Sequence, residues 1–121
     1  MNVEPHRMNM RLYGAWYTLD DGRGVYLAYR KPSQVYRKKT AWCIDRTTLD
    51  ATVDRGIKYA GVAVRNRGKV EYYMTLVSDF FGPFSFVNFD NPLQRGLPLS
   101  RFKITPATLA ANVERAIRLR R

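Results

Sequence analysis

Residues 57–78 constrain this chain more than any other segment. Two runs rich in β-branched and aromatic residues, 57–65 and 69–78, are separated by Asn66-Arg67-Gly68. Gly68 supplies the positive φ that a tight hairpin needs. A hairpin here makes a sheet the scaffold on which the rest of the chain has to pack.

The N-terminal half repeats the pattern. Residues 10–19 carry Tyr13, Trp16 and Tyr17 and predict a strand. Asp20-Asp21-Gly22-Arg23-Gly24 is a turn, and 25–30 is the returning strand, stopped by Lys31-Pro32-Ser33. A third strand is expected over 34–44. The period then changes: Leu49, Val53 and Ile57 recur at four-residue steps, Thr47 with Asp50 resembles a capping box, and Gly56 is placed to stop a helix over 47–55.

After the central hairpin, Asp79-Phe80-Phe81-Gly82-Pro83 breaks the chain, and 84–89 reads as another strand. Residues 93–104, with Gly96 and Pro98, read as an irregular crossover with a short strand at 101–104. Thr105-Pro106 opens a second helix, with Thr as cap and Pro at the first helical position. The expected fold is α+β, in the order βββ-α-βββ-α. An antiparallel sheet of five to six strands carries both helices on one face. Residues 1–9, polar and interrupted by Pro5, read as a flexible tail before a single domain over 10–121. A chain of 121 residues is long enough for that domain to bury a core of its own.

Charge sets the expected partner. Lys and Arg number 21 against 10 Asp and Glu, a net +11. Such an excess favours phosphate backbones. It is also concentrated: between Arg23 and Arg46 lie seven basic residues and one acidic one, a net +6. The expected nucleic-acid contacts are Arg23, Arg30, Lys31, Tyr36, Arg37, Lys38 and Lys39, with Arg65, Arg67 and Lys69 at the second hairpin tip. Basic β-ribbon tips suit backbone or groove contact. The interleaved rings Tyr26, Tyr29 and Trp42 are expected to pack inward, as strand aromatics do.

Five of the six Phe fall at positions 80–89. Core packing is the first reading of this cluster. The second is a homodimer or protein-partner surface formed by Phe80, Phe81, Phe84 and Phe86.

Chemistry is poorly signalled. His6 is the only histidine and falls in the expected tail, so a Ser–His or Cys–His pair has nothing to build on. The carboxylates Asp45, Asp50, Asp54, Glu71 and Asp79 are not spaced as a metal-nuclease set. Cys43 stands alone, which excludes an internal disulfide and a multi-cysteine zinc site. No cofactor, metal or membrane partner is expected, and the lone thiol suggests the reducing cytoplasm. The expectation is therefore a non-enzymatic nucleic-acid-binding protein, DNA or RNA. The alternatives are an inhibitor or adaptor docking on an acidic or nucleic-acid-binding protein, and a small ribonuclease-like toxin.

Overall fold

The computed structural model describes residues 2–18, 20, 24–30, 41–88 and 91–98. Within them the fold is α+β, with strands dominating. The larger sheet holds β1 (Asn2–Met8), β2 (Arg11–Thr18), β3 (Gly24–Arg30), β5 (Tyr59–Asn66) and β6 (Lys69–Leu76), in the spatial order β1-β2-β3-β5-β6. A smaller sheet holds β4 (Ala41–Asp45), β7 (Phe86–Val87) and β8 (Gln94–Pro98), with β8 in the centre. Helix α1 (Arg46–Asp54) follows β4 directly.

Register shows which residues share a face. Trp16 lies opposite Tyr26, Tyr26 beside Ala60, and Ala60 opposite Thr75; the next row on that face is Gly14, Ala28, Val62 and Tyr73. This face meets Leu49 of α1, Trp42, Ile44 and Leu97 of the small sheet, and Val77 and Phe80. All are buried, and side chains of this kind each contribute about 1.5–3 kcal/mol on leaving water. Trp42 and Phe80 meet edge to face with centroids 5.1 Å apart. The opposite face carries a second cluster, Val25 and Leu27 with Tyr17, Tyr29, Ala63 and Met74.

Several expectations are corrected. The large sheet is mixed rather than antiparallel, because β3 and β5 run parallel. The intervening β4 and α1 carry the chain back to its starting end, as a crossover does and a hairpin cannot. One α-helix is present among the described residues; the second expected helix, from Thr105, and the strand at 101–104 lie outside them. So do residues 34–40 of the expected third strand, whose remainder is β4.

Residues 2–8, expected as a tail, form edge strand β1, paired along β2. Pro5 is tolerated there because an edge strand can leave one side of its backbone unpaired. The strand expected over 84–89 shrinks to two residues, and the expected crossover contains β8. Helix α1 begins at Arg46, with Asp45 at the cap position making no side-chain capping bond, so the Thr47–Asp50 box does not form. Asp50 instead accepts from Arg46 Nε at 3.3 Å. Gly56, at φ +70°, lies just beyond the helix end as expected.

Beyond β6 the chain makes a 3-10 turn, Val77–Phe81. The Asp79 carboxylate fixes it by accepting from the Thr75 hydroxyl and from the Leu76 amide. Arg95 ties the turn to the small sheet, donating from Nε to the Phe80 carbonyl at 3.0 Å and from a terminal nitrogen to Ser85 Oγ at 2.7 Å.

Candidate nucleic-acid interface

Strand direction decides where the charge goes. β1, β3 and β5 finish, and β2 and β6 begin, at the same end of the large sheet. At that end each of the five strands carries a basic residue first, last or next to last: Arg7, Arg11, Arg30, Arg65 and Lys69, with Arg67 in a turn. Among the described residues of these rows on the large sheet, Glu71, opposite Val64, is the one carboxylate. Six basic residues from three sequence segments thus share one sheet end.

Two hairpin turns project from it. Met8 pairs with Arg11 across Asn9-Met10, and Asn66 pairs with Lys69 across Arg67-Gly68. All four central residues have positive φ: 50° and 66° in the first turn, 50° and 79° in the second. This is the two-residue type I′ geometry that matches strand twist. The turns are centred three strand spacings apart, about 14 Å at the usual interstrand distance. Arg7, Arg11, Arg67 and Lys69 are exposed.

Arg30 is held differently. Its guanidinium donates to the carbonyls of Tyr13 and Tyr29, both at 2.8 Å, and lies 5.1 Å from the Tyr13 ring centroid. It contributes a positive field to this end while its donors are partly engaged within the fold.

A polar cluster lies just inside the basic end, on the face that α1 covers. His6 Nδ1 is 2.6 Å from Tyr26 Oη, and its Nε2 is 3.4 Å from Thr48 Oγ1 on α1. The imidazole centroid is 4.8 Å from that of Trp16. Trp16 Nε1 donates to Thr52 Oγ1 at 2.9 Å, and that hydroxyl donates to the Thr48 carbonyl at 2.7 Å. Beside them Arg55 forks onto Glu4 at 2.6 and 2.8 Å and lies 4.0 Å over the Trp16 ring.

Burial pushes the His6 pKa below the ordinary imidazole value; Arg30 and Arg55 push the same way and Asp45 opposes them. Burial also pushes Tyr26 up to about 12, so its phenol stays protonated at neutral pH. The Arg55 hydrogen bonds hold the Glu4 carboxyl below its usual range. Edge strand β1 is thereby latched to α1. Among the described residues no three His, Cys, Asp or Glu are grouped to hold a metal ion.

Of the contacts expected from sequence, the structure brings together Arg30, Arg65, Arg67 and Lys69. Arg23, Lys31, Tyr36, Arg37, Lys38 and Lys39 lie outside the described residues. Tyr26 and Trp42 are buried and Tyr29 is partly buried, as expected of strand rings. Arg7 and His6 fall in the expected tail, and Arg11 falls in the strand expected over 10–19, where no contact is assigned to it. Asn9 was the available signal, since Asn is among the residues that adopt positive φ most readily.

The phenylalanine cluster divides. Phe80 is fully buried, which removes it from the expected partner surface; Phe81, Phe84 and Phe86 are 42, 51 and 40% exposed. Arg46 lies 4.8 Å over the Phe81 ring. Comparison with known protein families, curated proteins and solved structures finds no match to this chain.

Proposed function

We propose that this protein binds nucleic acid through the basic end of its five-stranded sheet and performs no chemistry on it. The observation that carries this reading is the convergence of Arg7, Arg11, Arg30, Arg65, Arg67 and Lys69 at one sheet end, within a chain of net charge +11. Cations gathered on two projecting turns neutralise phosphates and release counterions, which gives affinity with little dependence on base sequence. Lys31, Arg37, Lys38 and Lys39 follow β3 in sequence and belong to the same proposal. Titrating a labelled duplex at several salt concentrations tests it. The expected result is a linear fall of log affinity with log salt; absence of binding at low salt overturns it.

A second reading has its own observation. Phe81, Phe84, Phe86 and Val87 are all at least 40% exposed on or beside the small sheet, which suits a docking protein partner. Recovery of one stoichiometric protein partner, lost on Phe84→Ser, together with weak binding to free nucleic acid, favours that reading over the first. No helix among the described residues is long and apolar enough to cross a membrane.

A further inference from the structure

The two tips of the basic end share a turn and differ at its second central residue. In the β5–β6 turn that position is Gly68, which meets φ +79° without a side chain. In the β1–β2 turn it is Met10, at φ +66°. A non-glycine residue pays for this conformation in steric strain. Met10 gains nothing from the fold in return, because it is 93% exposed, the most exposed large hydrophobic side chain among the described residues. An apolar side chain is thus held in water, at a strained position, on the tip of a hairpin flanked by Arg7 and Arg11.

We propose that Met10 is a wedge: the β1–β2 tip enters the minor groove of duplex DNA and drives Met10 between neighbouring base pairs, while Arg7 and Arg11 take the flanking phosphates. This rests on the nucleic-acid reading of the basic end. Minor-groove proteins kink DNA by inserting apolar side chains, methionine among them, between base steps. The unbranched thioether is slim enough for a groove about 6 Å wide. The register of β1 against β2 slips between His6 and Arg7, immediately behind the tip. Such an irregularity bends and twists a ribbon, re-aiming what lies beyond it. Arg67 and Lys69, about 14 Å away by strand spacing, then meet the backbone alongside.

The minor groove of A-form RNA is wide and shallow and offers no such slot. Single strands are bound by stacking on open rings. Of the described rings near this end, Tyr13 lies under the Arg30 guanidinium, and Tyr29 Oη is bonded to Tyr17 Oη at 2.7 Å.

The test uses the whole protein and a short DNA duplex carrying a donor–acceptor pair on its ends and 2-aminopurine at a central TA step, the kind of step that kinks easily. The wild type is expected to shorten the end-to-end distance and brighten the 2-aminopurine. Met10→Gly, which fits the turn, is expected to lose both signals and bind more weakly with an unchanged salt slope; Met10→Leu is expected to keep them. Binding by the wild type without either signal, or signals that survive Met10→Gly, overturns the wedge and leaves the binding reading standing. Equal or tighter binding to single-stranded DNA or duplex RNA of the same length overturns the duplex-DNA assignment. Absence of binding to all three at low salt overturns the binding reading itself.

Discussion

The two ends of the large sheet differ in burial and in charge. At the far end, β6 runs into the 3-10 turn, Phe80 is fully enclosed, and Asp79 and Arg95 fix the backbone around it. At the basic end, two turns reach into solvent with Arg7, Arg11, Arg67, Lys69 and Met10 all exposed. Like charges gathered there repel one another and bury little apolar surface, so they add little to folding. If the basic end binds nucleic acid as proposed, stability and recognition are separable by position. Substitutions at one end should change the folded population, and substitutions at the other should change what the folded protein binds.

The largest expected effect tests the far end. Phe80→Ala should cost about 3–5 kcal/mol in urea unfolding, the range for emptying a buried aromatic site. The molecules that remain folded should bind duplex with an unchanged salt slope. A change in slope would show that the two ends are coupled.

At the basic end, replacing Arg67 and Lys69 together by Ala should flatten the slope of log affinity against log salt by about 2. The unfolding midpoint should move by less than about 0.5 kcal/mol, as is usual for surface positions without partners in a core. A large loss of stability would show these cations to be structural.

Met10→Gly sharpens the contrast within the basic end. It should raise stability by about 1 kcal/mol, because it relieves a left-handed residue whose side chain packs on nothing. A variant more stable than the parent, yet deprived of the kink, would place the wedge outside the needs of folding. Thermal denaturation is enough to check the first half.

The smallest effect lies between the two ends. His6 is more acidic folded than unfolded, so the unfolded chain takes up the proton first as pH falls below about 6.5. Stability should then decline as pH drops from 6.5 toward the folded value, and be flat above 6.5. His6→Gln should remove that part of the pH dependence. Glu4, whose carboxyl is held low by Arg55, contributes a further decline only at more acid pH, and a small one, since its side chain is 44% exposed.

Local signals were readable in the residues and long-range ones were not. Asn66-Arg67-Gly68 and the four-residue steps of Leu49, Val53 and Ile57 report on the backbone within a few residues, and the hairpin and α1 follow from them. The parallel pairing of β3 with β5 depends on segments 34 positions apart, and nothing in either strand announces its neighbour. β1 was missed because an edge strand has one half-solvated side, so Asn2–Met8 lacks the apolar alternation that marks a covered strand. β8 was missed because Gly96 and Pro98 read as punctuation, although Gly96 is buried between β4 and β7.

The basic residues were visible one by one. Their convergence was not, because it depends on which way each strand runs. Arg7 went unassigned along with β1, and Arg11, at the start of β2, gains its neighbours only once β1 is paired beside it. Met10 is expected to open the strand over 10–19; its exposure and its positive φ are both properties of the turn that joins β1 to β2.

The parallel seam between β3 and β5 has a consequence for how the molecule assembles. The meander β1-β2-β3 and the hairpin β5-β6 are each closed by short connections, and each can form on its own timescale. Joining them requires a long loop to close before the seam returns any contact energy, so docking of the two halves should set the folding rate. Until that step is complete, the inner edges of β3 and β5 are bare strands able to pair with another chain. The seam that completes the sheet is thus also where a crowded or hurried refolding should first go astray.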